Sequence, residues 1–97
     1  MATVYIIHSK ATGNFYVGST TDFEMQFEQH RKGHFPKGYK TSATDWAAYF
    51  TIGDLEIDTA RRIEKHIKKN KSKEYFDQLK SDPELKAKLI EEHSTHL

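Results

Sequence analysis

The chain contains no cysteine, which excludes a disulfide framework, a thiolate zinc site and a cysteine nucleophile, and leaves stability to packing alone. Two prolines and five glycines are too few for a collagen-like or low-complexity chain. No window approaches the roughly 18 to 20 consecutive apolar residues of a membrane span. The first residues also lack the basic start and apolar stretch of a signal peptide, so the expected location is the cytoplasm, with no membrane partner. A large charge of one sign is missing too, since 15 Lys+Arg stand against 14 Asp+Glu for a formal net charge of +1. Walker A, GxGxxG, GxSxG and HExxH patterns are absent, which removes the usual nucleotide, hydrolase and zinc-protease readings. What is left is 97 residues, 36% hydrophobic and 12% aromatic, enough for one small domain and one modest core.

Residues 3–8 (TVYIIH) and 15–19 (FYVGS) are β-branched and aromatic runs separated by turn formers at 10–14, the pattern of a β-hairpin. Thr21-Asp22-Phe23-Glu24 matches a capping box and predicts a helix over 22–31, stopped by Gly33. On it Phe23 and Phe27 share one face and Gln26 and His30 a neighbouring one. Residues 33–44 (GHFPKGYKTSAT) read as a loop in which Lys37 and Lys40 alternate with aromatic residues. The apolar run 46–52 (WAAYFTI), between Asp45 and Gly53, predicts a third strand. Ala60, Ile63 and Ile67 recur at helical spacing behind Asp58 as N-cap, for a helix reaching about Asn70. Ser72 caps a further helix carrying Tyr75, Phe76 and Leu79. Asp82-Pro83 opens a last one with Leu85, Leu89 and Ile90, before a tail expected to fray from His93. The expectation is an α+β fold, a three-stranded antiparallel sheet flanked by helices in the order β-β-α-β-α-α-α.

The charge is unevenly placed. From 61 to 73 there are seven basic residues (Arg61, Arg62, Lys65, Lys68, Lys69, Lys71, Lys73) and one acid, Glu64. Such a stretch is either a solvated helix face or a phosphate-binding one. Glu64 likewise has two readings: a surface partner for Lys68 four residues on, or an oxygen ligand for a hard cation such as Mg²⁺. Tyr5 and Tyr16 read equally as strand aromatics filling a core, and Gly18 as a strand end or a place where a phosphate approaches the backbone.

Taken in order, Val4-Tyr5-Ile6, Tyr16-Val17-Gly18, His30-Arg31-Lys32-Gly33, Trp46 and the Ala60…Glu64-Lys65…Ile67-Lys68-Lys69-Asn70-Lys71-Ser72 stretch resemble the GIY-YIG nuclease superfamily. The resemblance covers about residues 3–79 and is closest to small single-domain bacterial members, similar to the nuclease domain of the excision-repair incision subunit. It implies a DNA endonuclease using one divalent metal, Mg²⁺ or Mn²⁺. In that scheme Glu64 is the metal ligand, Tyr5 and Tyr16 position or deprotonate the attacking water, and His30 assists at the scissile phosphate. Gly18 keeps the approach open, and Lys37, Lys40, Arg61, Arg62, Lys65, Lys68, Lys69 and Lys71 meet the nucleic acid.

One departure bears on activity. The family pattern has an arginine four residues before this histidine, and the chain has Gln26 there, an amide with fewer donors and no charge. Losing one such stabilising group typically costs on the order of 10² to 10³ in rate, so the expectation is a weakened endonuclease or, as the alternative, an inactive domain that binds nucleic acid. Arg31, Arg61 and Arg62 are the nearest candidates to compensate. The family's late asparagine has no counterpart after Leu79. The last helix completes the core or offers a surface to a protein partner or a second copy.

Overall fold

The computed structural model describes residues 1–35 and 43–94, so most of the expected 33–44 loop, with Lys37 and Lys40, lies outside the described residues. Within them the order is β1 (Ala2–Ser9), β2 (Phe15–Thr20), α1 (Phe23–Arg31), β3 (Trp46–Leu55), α2 (Ile57–Lys69), α3 (Lys73–Ser81) and α4 (Pro83–His93). The three strands form one antiparallel sheet in the order β2-β1-β3, the α+β architecture expected from the sequence. None of the described helices is long and apolar enough to cross a membrane.

β1 is buried at nearly every position because it is the central strand and both its faces are covered. Strand alternation sends Val4 and Ile6 to one face, where they pack with Ile63 and Ile67 of α2, Phe76 and Leu79 of α3 and Leu89 of α4. Tyr5 and Ile7 go to the other, with Trp46 and the α1 residues Phe23 and Phe27. β2 is an edge strand, paired with Tyr5 opposite Gly18 and Ile7 opposite Tyr16, so a groove can run around its free side from one face to the other.

Three boundaries differ from expectation. The N-cap of α1 is Asp22, whose carboxylate accepts from the Met25 amide at 3.1 Å, while Thr20 Oγ1 accepts from the Asp22 amide at 3.1 Å. A better acceptor one residue later displaces the Thr21–Glu24 box. The α2 N-cap is Glu56, and Asp58 sits in the first turn, where its charge favours the helix dipole without capping. β3 continues past Gly53 to Leu55, through a register shift in which Asp54 takes φ 59°. Gly53-Asp54 is therefore a bulge, where the extra residue is absorbed and the strand resumes.

The other ends follow the sequence. α1 closes with Gly33 at φ 84°, its amide donating to the His30 carbonyl at 2.9 Å and that of His34 to Gln29 at 2.8 Å, the paired bonds of a Schellman stop. Ser72 caps α3 through the Tyr75 amide at 3.1 Å, and Asp82 caps α4 through that of Glu84 at 3.0 Å. α4 runs to His93, whose carbonyl accepts from Arg62 Nε at 2.8 Å, and Leu89 is buried; most of the tail expected to fray lies outside the described residues. α4 completes the core. Leu89→Ala should cost about 2–5 kcal/mol of unfolding free energy in urea, whereas a loss under about 0.5 kcal/mol would show that α4 is an appendage.

Candidate active site

α2 docks through Ala60, Ile63 and Ile67, all fully buried, and this stripe sets the direction of everything else on the helix. Arg61, Glu64, Lys65 and Lys68 fall at i, i+3, i+4 and i+7, one continuous side bordering the stripe. They line a cleft of about 500 Å³ with Ser19 and Lys69. Glu64 leans across it to β2: one oxygen accepts from the Ser19 hydroxyl, and the other lies 2.6 Å from Lys68 Nζ. Its side chain is 21% exposed and that of Lys68 51%, so the carboxylate is sheltered while remaining open to a small ion.

A second cleft of about 260 Å³ adjoins the first and is lined by Tyr5, Tyr16, Gly18, Ser19, Gln26, Glu64 and Lys68. Tyr16 and Gly18 lie on one face of β2 and Ser19 on the other, so this cleft wraps the edge strand and joins the tyrosine side of the sheet to the α2 side. Tyr5, Tyr16, Gly18, Gln26 and Glu64, far apart in sequence, therefore meet in one place. Lys71 lines a third cleft of about 330 Å³ with Phe15, Tyr16, Val17 and Lys68.

Gly18 has a specific steric reason. A Cβ there would lie 2.5 Å from Tyr5 Oη and 2.6 Å from Tyr5 Cζ, so the glycine makes room for the phenol directly opposite, and the space it leaves is filled by that ring. The Tyr5 hydroxyl lies 2.7 Å from His30 Nε2, with Tyr5 2% exposed and His30 fully buried. Burial raises the Tyr5 pKa above its ordinary value, helped by Tyr16 and Glu64, so the phenol is neutral. Burial also lowers the pKa of His30, against a smaller upward pull from the His34 backbone. The pair is thus a neutral phenol against a neutral imidazole, and the His30 ring sits behind the cleft wall, against Tyr5 and, at 5.0 Å between ring centres, Tyr16.

Two of the three arginines that sequence places near Gln26 point elsewhere. Arg31 pairs with Glu28 at 2.8 Å on the exposed side of α1, and Arg62 binds the His93 carbonyl at 2.8 Å. Arg61 lines the larger cleft with Glu64. Ser19 was not among the candidates, although its position after Tyr16-Val17-Gly18 on an edge strand was the available signal. Among the described residues no group of three or more His, Asp or Glu gathers as a metal cage. A single carboxylate with hydroxyls beside it suits Mg²⁺ or Mn²⁺, which bind oxygen; Mg²⁺ keeps several waters of its own, and Glu64 with Ser19 fits that role.

A family model described as the GIY-YIG catalytic domain matches residues 1–80. The chain is similar to a UPF0213 protein of Bacillus halodurans solved by solution NMR, at 28% identity over 84% of each chain, with a TM-score of 0.49. No curated protein matches it.

Two outcomes follow from the Tyr5 environment. Gly18→Ala should lose about 1–3 kcal/mol in urea unfolding as the new methyl displaces the phenol; unchanged stability would mean that the ring has free space. Because the His30 pKa is lowered from 6.5 in the folded state, the unfolded chain takes up this proton first. Its contribution to stability is complete above about pH 6.5 and is lost as the pH falls toward the folded pKa. His30→Gln should have a shallower fall in stability between about pH 7 and pH 5 than wild type, and equal slopes would contradict a neutral buried imidazole.

Proposed function

The chain belongs to the GIY-YIG catalytic domain family, and from that premise we propose that it is a metal-dependent endonuclease that hydrolyses phosphodiester bonds in DNA. The observation that carries this reading is the convergence of Glu64 with Tyr5 and Tyr16 in one cleft beside the basic side of α2. Glu64 and Ser19 would hold Mg²⁺ or Mn²⁺, which when bound would supply neutralisation of charge at the phosphate and a lower pKa for a nearby water.

The protein's own groups do the rest. Water attacks phosphorus as the P–O ester bond breaks, the leaving oxygen takes up a proton from solvent to become a hydroxyl, and the attacking water's proton has to leave. Tyr16 orients the water from the cleft wall. Tyr5 accepts the proton as it passes its own to neutral His30 across the 2.7 Å contact, which avoids a free phenolate at a site where burial disfavours one. His30 thus acts behind Tyr5 and makes no contact with phosphate. Arg61, Lys65, Lys69 and Lys71 hold flanking phosphates, contacts that position a duplex without reading its sequence, so recognition rests on DNA structure. A cytoplasmic setting accords with this substrate.

A second reading is favoured by one residue. Gln26 lines the cleft where the family pattern has an arginine, and on that ground the domain binds DNA without cutting it. Nicking of supercoiled plasmid by wild type, Glu64→Ala and Gln26→Arg in Mg²⁺, Mn²⁺ and chelator separates the two. The endonuclease reading expects metal-dependent nicking that Glu64→Ala abolishes and Gln26→Arg raises by up to about 10²-fold. Nicking that survives Glu64→Ala contradicts it, and silence in wild type with activity in Gln26→Arg establishes the binding domain.

A further inference from the structure

Lys68 alone among the described residues lines all three adjoining clefts. Its ammonium sits 2.6 Å from Glu64 Oε2, on the carboxylate that the nuclease reading assigns to the divalent ion. A divalent ion taking Oε2 competes with the ammonium for that oxygen and repels it, so loading the site there favours release of the lysine. The pair is weak enough for this: Lys68 is half exposed, and an exposed i,i+4 pair shifts an equilibrium by no more than about fivefold. Its flexible four-carbon stem also allows the ammonium to move while the helix stays docked.

The direction of that movement is limited by charge. Arg61, Lys65 and Lys69 already line the larger cleft, and a further positive charge there is repelled. Among the described residues, the smaller cleft holds the tyrosines and Gln26, and Lys68 is the cationic side chain in its lining. Of these residues, Lys68 is the one that can meet a phosphate entering beside Tyr5 and Tyr16 with a positive charge.

We propose that Lys68 has two mutually exclusive positions: counter-ion of Glu64 in the metal-free protein, and phosphate clamp beside Gln26 once a divalent ion has taken the carboxylate. This rests on the nuclease reading. It explains how a chain with an amide at position 26 retains a cation at the reacting phosphate. It also makes the empty site self-neutralised, with Glu64 neither bare nor free to bind a cation without competition.

The test is Mn²⁺ affinity by titration calorimetry together with plasmid nicking, for wild type, Lys68→Met, Lys68→Arg, Glu64→Ala and the double variant Lys68→Met/Gln26→Arg. Removing the competing ammonium should tighten Mn²⁺ binding about three- to fivefold in Lys68→Met while nicking falls about 10²-fold. Lys68→Arg should retain wild-type Mn²⁺ affinity and most of the nicking, and Gln26→Arg should restore nicking to Lys68→Met. A merely structural lysine would not produce tighter metal binding with slower cutting. Unchanged or weaker Mn²⁺ affinity in Lys68→Met overturns the proposal, and the calorimetric arm requires no turnover. Nicking that depends on Glu64 but ignores Lys68→Met removes this inference alone, whereas nicking that survives Glu64→Ala removes the nuclease reading and this one with it.

Discussion

The candidate site depends on one carboxylate held across a gap. Glu64 belongs to α2, yet one of its oxygens is bound by Ser19 on β2 and the other by Lys68 one turn along its own helix. Its position is imposed by neighbours that do no chemistry. Ala60, Ile63 and Ile67 bury the stripe of α2 against the sheet, and helical geometry then places residue 64 at the border of that stripe, facing the edge strand. A carboxylate in that position is sheltered enough to interact strongly and exposed enough to exchange a lysine for a metal ion.

A second constraint comes from the sheet. Antiparallel pairing sets Tyr5 opposite Gly18, and only a residue without a Cβ leaves space for the phenol. The ring settles over Gly18 and its hydroxyl meets His30 of α1, just before the Schellman stop at Gly33 ends the helix. Tyrosine and histidine are each kept neutral by the same burial that brings them together. Chemistry and packing share one contact here, so a substitution at Tyr5, Gly18 or His30 disturbs both.

Much of this is legible in the sequence because it follows from periodicity and end signals. The hairpin, the α2 stripe and the Ser72 and Asp82-Pro83 caps are found where residue patterns place them, and Tyr5, Tyr16, Gly18, Gln26 and Glu64, which the family resemblance and no periodicity groups together, line one cleft. The misplaced boundaries have local causes. Asp22 outcompetes Thr21 as a cap, and Gly53-Asp54 reads as a stop although β3 absorbs it as a bulge. Directions of long side chains are not in the pattern at all. Nothing in the run of basic residues distinguishes Arg62, which ties down α4, from Arg61, which faces Glu64. The burial of His30 behind Tyr5 also depends on tertiary packing, since a histidine near a helix end reads equally as exposed.

On the proposed function, Glu64 is the carboxylate that would hold a divalent ion at the meeting point of the sheet edge and α2. Paramagnetic broadening of amide signals in a ¹H–¹⁵N spectrum on adding Mn²⁺ tests it without requiring DNA or turnover. The account predicts early, selective loss of the Ser19, Gly18, Lys65 and Lys68 signals, with Glu64→Gln removing the effect. Broadening that centres elsewhere, or that persists unchanged in Glu64→Gln, would contradict it.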